Sequence, residues 1–192
     1  MRTVLQVAGD VHGGINFLPQ RTREIPRQIG APPVGFVNRD DVLSWVADRL
    51  GDSTGPPPIV VLSGLPGIGK RTLVRRFAHD YKNRFPGGSL RADCAEYRTE
   101  QAGGLVDVSG MLARCLRGLG VGDAPMPPTR EERRDLFLTR TADRPVLVVV
   151  ENATEPAQVS ALVPNSPGSL VLVTTTMDLT ELRFEGAAFG RL

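Results

Sequence analysis

The sequence predicts a three-layer α/β domain built on a mostly parallel sheet with helices on both faces. Two patterns carry that expectation. Residues 59–62, 146–150 and 170–173 are continuous apolar runs with no polar side, as strands buried on both faces must be. Segments with helical apolar spacing alternate with these runs, and strand–helix–strand alternation forces parallel pairing through crossover helices. The 192 residues suit a single domain, and 41% hydrophobic with 23% charged residues excludes bulk disorder.

Residues 1–33 read as an irregular leader or linker. Val4, Leu5, Gln6 and Val7 resemble a short strand, the glycines at 9, 13 and 14 give turn signals for a small hairpin, and Pro19, Pro26, Pro32 and Pro33 forbid a long helix. The folded domain is expected over 34–192. A first helix carries Val42, Leu43, Trp45, Val46 and Leu50, capped by Asn38 or Asp40 and stopped by Gly51. The strand at 59–62 leads through a glycine-rich turn into a helix with Leu73, Val74, Phe77, Ala78 and Tyr81. Residues 89–94 read as a weaker strand, 105–118 as a helix, 129–142 as a helix with a charged face, and 157–163 as a short helix before the last strand.

Several function classes fall away on composition. The chain has no apolar window near the ~18 residues of a membrane span, and its N-terminus has no long apolar stretch of the secretory type. Cys94 and Cys115 cannot make a disulfide framework and fit a reducing cytoplasm. With His12 and His79 they are too scattered for a zinc site. Ser63 and Ser166 lack the elbow of a serine hydrolase. A net charge of +2 argues neither for nor against a polyanionic partner, and nucleic acid is not the expected partner. All but two of the 23 basic residues are arginine, in keeping with GC-rich coding, and Arg71, Arg75, Arg76, Lys82 and Arg84 form one basic sector read as a solvated face.

The informative stretch is Gly64-Leu65-Pro66-Gly67-Ile68-Gly69-Lys70-Arg71-Thr72. It lies between a buried strand and an amphipathic helix, the setting of a P-loop. Glycines let successive backbone N–H groups turn toward phosphate oxygens, the helix adds the positive end of its dipole, and Lys70 supplies a compact cation. One position departs from GxxxxGK[ST]. Arg71 stands where a hydroxyl would ligate Mg²⁺, and Thr72, one residue late, points about 100° away on a helix. Arg71 would repel a metal ion and could itself bind a phosphate. At the tip of the second buried strand, Glu151 is the candidate acidic group for Mg²⁺ or its water, with Thr72 as its partner ligand.

In these motifs, over roughly residues 34–182, the chain resembles the NB-ARC domain of STAND-class signalling NTPases, of the kind found in actinobacterial regulators with tetratricopeptide repeats. Residues 34–40 resemble the family's "FVGRE" segment near the adenine, with Val37 and Arg39 matching and Asn38 in place of glycine. Residues 64–72 resemble "GxGGxGKTTL", with Pro66 for glycine and Arg71 for the metal-binding threonine. Residues 84–93 resemble "RFPDGQLYVDL", residues 145–153 resemble "RVLVVLDNA" with Glu151 for aspartate, and residues 164–175 resemble "LLPGSPGSLVLVTSR". The arginine that senses the terminal phosphate falls at Thr176. The resemblance implies ADP or ATP bound by Val37, Arg39, Gly64, Pro66, Gly67, Ile68, Gly69, Lys70, Arg71, Thr72 and Leu73. It also implies other domains or protein partners, an oligomer among them, in a cytoplasmic signalling assembly. The family continues into a helical lid and a winged helix, and the sequence to Leu192 stops before either.

Metal hydroxyl, strand-tip aspartate and sensor arginine are all altered, while the phosphate cradle is intact. Phosphoryl transfer depends on positioning and cation stabilisation far more than binding does, so the expected function is a nucleotide-binding switch module with weak or absent hydrolysis. Two alternatives stay open at this level. One is a Mg-dependent ATPase in which Thr72 and Glu151 rescue the metal through a shifted helix start. The other is a scaffold that keeps the fold without the nucleotide.

Overall fold

The computed structural model describes residues 25–35, 39–50, 55–99 and 104–192. In chain order the elements are α1 (Asp40–Asp48), β1 (Ile59–Ser63), α2 (Lys70–Asp80), β2 (Gly88–Asp93), β3 (Arg98–Thr99), β4 (Leu105–Val106), α3 (Val108–Gly118), α4 (Arg130–Arg140), β5 (Val146–Glu151), α5 (Pro156–Ser160), β6 (Leu170–Thr175) and β7 (Ala188–Arg191). The main sheet has five strands in the order β2-β5-β6-β1-β7, with every adjacent pair parallel. The expected three-layer parallel architecture is therefore observed.

Period-two side-chain alternation divides each apolar run between two cores. Ile59 and Val61, Val148 and Val150, and Val171 and Val173 pack with Met111, Leu112 and Leu116 of α3 and Phe137 of α4. The intervening Val60, Leu62, Leu147, Val149, Leu170 and Leu172 pack with Leu43 and Val46 of α1 and Leu73, Val74 and Phe77 of α2. Both faces are covered, which is why these strands need no polar side. Among the described residues, no helix is long and apolar enough to cross a membrane.

Local chemistry moves several boundaries. The helix expected from residue 105 starts at Val108, because the Asp107 carboxylate accepts the Gly110 N–H at 2.9 Å and caps it there. Residues 105–106 are thereby freed to pair antiparallel with 98–99. The short helix expected at 157–163 occupies Pro156–Ser160, set by a first-turn proline and a Glu155–Gln158 capping box. In α1 the capping position belongs to Arg39, which offers no side-chain cap. Asp40 lies inside the first turn with Asp41, where carboxylates favour the helix dipole. Asn38, Gly51 and the Val4–Val7 segment lie outside the described residues. Strand β7 is not expected from sequence: its half-buried residues have no apolar run to announce them.

The outer edge of β2 is covered by an earlier part of the chain. The Ser89 N–H donates to Pro26 O at 2.8 Å, the Gln28 N–H to Ser89 O at 3.0 Å, and the Arg91 N–H to Gln28 Oε1 at 3.0 Å. Gly88 makes this approach feasible, having φ +101°, and a Cβ there would run into the Pro26 carbonyl.

Two outcomes check the packing. Phe77 is fully buried and stacks on Tyr81 with ring centroids 4.6 Å apart. Phe77→Ala should therefore lower the unfolding free energy in denaturant titrations by about 3–5 kcal/mol. Burial pushes both free thiols, Cys94 and Cys115, up to about 12. Native protein at mildly alkaline pH should then leave Ellman's reagent almost untouched, and denatured protein should release both thiols.

Candidate functional site

The loop between β1 and α2 turns on glycine conformations. Gly67 (φ +78°) and Gly69 (φ +98°) are left-handed, and an added Cβ at either would meet nothing within 4 Å. Gly69 is the capping residue of the 11-residue α2 and brings no side-chain cap. The Leu73 N–H reaches back to Gly69 O at 3.0 Å, so the amides of residues 70–72 sit in the first turn, where no intrahelical acceptor exists. They mark the positive end of the helix dipole. The loop's start is held tightly: the Leu192 N–H donates to Ser63 O at 2.9 Å, and a Cβ on Gly64 would lie 2.9 Å from Leu192 O.

A cavity of about 540 Å³ opens over this loop, lined by Gly67, Gly69, Lys70 and Arg71 on one side and Glu151, Asn152 and Thr174 on the other. Lys70 folds back into its own loop, donating from Nζ to Gly64 O at 2.7 Å and Leu65 O at 2.9 Å. Partial burial draws its pKa below the ordinary lysine value.

Opposite the loop lies an ion cluster dictated by strand parity. In β2, Leu90 and Ala92 enter the α3 core, so Arg91 and Asp93 face the α2 side. Asp93 pairs in register with Glu151, and Arg91 with Val149, which places all three polar side chains on one face near the carboxyl ends of the strands. Arg71, in the first turn of α2, closes the group from above. Its Nε donates to Glu151 Oε1 at 3.1 Å and its Nη2 to Asp93 Oδ2 at 3.1 Å. Arg91 donates from Nε to Glu151 Oε2 and from Nη2 to Asp93 Oδ2, both at 2.7 Å, and from Nη1 to Glu96 Oε1 at 2.9 Å. Asp93 Oδ1 accepts from the Ala95 N–H at 3.1 Å and from Asn152 Nδ2 at 2.7 Å. Asn152 reaches it from a left-handed backbone, φ +55°.

The carboxylate side chains of Asp93 and Glu151 are only 6% and 4% exposed, whereas Arg71 is 52% exposed. Burial opposes the charge on Arg91, but its bonds to Glu96 and Glu151 outweigh burial and raise its pKa above the ordinary arginine value.

The structure gathers Pro66, Gly67, Gly69, Lys70, Arg71, Thr72, Glu151 and Thr176 around one cavity. Gly64 and Ile68 belong to the loop frame, the Ile68 N–H bonding Leu65 O at 3.3 Å. Leu73 is fully buried in the core beneath the loop. Arg39 stands at the head of α1, and Val37 lies outside the described residues. Sequence reasoning misses Arg91, Asp93 and Asn152. The alternation of Ser89, Arg91 and Asp93 with Leu90, Ala92 and Cys94 is the signal that could have found the first two, since it announces a polar face meeting a buried one.

The family model described as AAA ATPase domain matches residues 35–173. The "Regulatory protein AfsR" of Streptomyces griseus is 30% identical over 158 residues, and that of Streptomyces coelicolor is 31% identical over 163. Each match covers 82% of this chain and 16% of the relative, so the chain spans about one sixth of their length. Two solved structures align over 82% of the chain and 48% of their own: a DNA replication initiation factor (TM-score 0.43, 12% identity) and AMPPCP-bound DnaA from Aquifex aeolicus (TM-score 0.42, 13% identity). With the family match spanning most of the sequence, the chain belongs to the AAA ATPase domain family.

Proposed function

We propose that this domain binds ADP or ATP on the loop between β1 and α2 and serves as a nucleotide-sensing switch of a larger regulatory protein, hydrolysing ATP weakly or not at all. The observation that carries the reading is the contrast between the two sides of the cavity. One side keeps what a diphosphate needs: the open left-handed turn at Gly67 and Gly69, the uncapped first turn of α2, and Lys70. On the other side the Glu151 carboxylate, the candidate catalytic group, is bonded by Arg71 and Arg91. By the resemblance the phosphate-sensing arginine falls at Thr176, which lines this cavity and supplies no cation.

The regulatory setting is supported by the likeness to the AfsR proteins, and the finer assignment to NB-ARC and STAND switches by the motif series from residue 34 to residue 175. In such a switch, nucleotide exchange would alter how the domain packs on neighbouring domains or partners in the cytoplasm. Lys70 spends two of its three ammonium donors on the Gly64 and Leu65 carbonyls, so turning it toward a phosphate would redistribute these loop contacts.

Isothermal titration and thermal melting with ADP test the reading. ADP should bind and raise the melting temperature, and Lys70→Ala should weaken it by about tenfold or more, the worth of one charge-assisted hydrogen bond. No ADP binding with or without Mg²⁺ would overturn the proposal. Phosphate release from ATP should remain at background, and turnover near the ordinary enzymatic rate of about 10 s⁻¹ would refute the claim of weak hydrolysis.

A further inference from the structure

The fold family implies Mg²⁺ beside the phosphates, and the residues here do not suit it. Magnesium demands oxygen donors at about 2.1 Å in an octahedron. The position after Lys70 offers a guanidinium, and the carboxylate oxygens nearest to it are already engaged. Glu151 gives Oε1 to Arg71 and Oε2 to Arg91, while Asp93 Oδ2 accepts from both arginines and Oδ1 from Ala95 and Asn152. A divalent ion reaching either group would also face the positive charges of Arg71 and Arg91 at contact range.

From this cluster we infer that nucleotide binding is independent of a divalent metal, and that Arg71 is the tethered cation that replaces it. The inference rests on the nucleotide-binding reading above. Arg71 is suited to exchange because it is half exposed and lines the same cavity as Lys70. Its departure leaves neither buried carboxylate bare. Glu151 keeps the shorter bond to Arg91, and Asp93 keeps Arg91, Asn152 and the Ala95 N–H. Arg91 is the less exposed and is held by Glu96 as well, so it stays as the permanent counter-charge. An incoming diphosphate then draws Arg71 from the carboxylates into a bidentate pair with phosphate oxygens, geometry that suits guanidinium. Phosphate binding is thereby coupled to loss of the ionic tie between α2 and the tips of β2 and β5, which stay bonded to each other through Arg91.

The experiment is calorimetric titration of the intact chain with ADP, once with excess Mg²⁺ and once with EDTA. Wild-type affinities should agree within about threefold, and Arg71→Thr should bind about tenfold more weakly in EDTA. Arg71→Gln keeps hydrogen bonding, removes the charge and should show the same loss, which guards against a folding defect in the first variant. Circular dichroism melts identify a variant that does not fold. Wild-type binding that falls tenfold or more in EDTA overturns the inference while sparing the nucleotide reading. Unchanged EDTA affinity in both folded variants overturns it too. Absence of ADP binding in either buffer overturns the nucleotide reading and this inference together.

Discussion

Two carboxylates, Asp93 and Glu151, are buried side by side at the ends of adjacent strands, and their neutralisation is the constraint around which this domain is organised. Unpaired, each would be costly to keep from water, and their mutual repulsion would add to that cost. Arg91 answers from within β2, Arg71 from α2, and Asn152 from the turn after β5. Helix α2 is thus tied to β5 and to the edge strand β2 by charge, as well as to the core by the apolar contacts of Leu73, Val74 and Phe77.

The proposed separation of binding from turnover has a simple physical basis. A phosphate cradle is mostly backbone, so it survives side-chain change as long as Gly67 and Gly69 hold their left-handed turns. Catalytic stabilisation is mostly side chain and cation, and substitution at single positions removes it. A regulatory module can therefore lose the second and keep the first. In the AfsR relatives the matched region is about one sixth of the protein, so a stretch of this kind sits there within a much larger regulator.

The parallel sheet was legible in the sequence because the runs at 59–62, 146–150 and 170–173 are too short for buried helices and apolar on both sides, which leaves a strand covered on each face. The loop was legible because glycine spacing and Lys70 state their own chemistry. Arg71 is recognisable as the wrong residue for a metal, but its partners are not. They depend on which strand lies beside β5 and on the register of Asp93 with Glu151, and neither is written locally. Strand β7 escapes for a related reason: it is held by β1 and by Trp45 against Gly190, through contacts distant in sequence. The late start of α3 comes instead from turn chemistry, where Asp107 caps a helix that apolar spacing alone would begin earlier.

The pairing of residues 26–28 with β2 has a bearing on how the protein behaves among copies of itself. An outermost strand normally presents a ladder of unsatisfied amides and carbonyls to any other strand it meets. Here Pro26 and Gln28 occupy that ladder at Ser89, and Pro32 and Pro33 follow within a few residues. Proline cannot extend a ladder outward, since it has no amide hydrogen to donate. At Ser89 the ladder of β2 is therefore closed from within the chain, and a stretch whose composition looks merely irregular takes a place that another strand would otherwise fill.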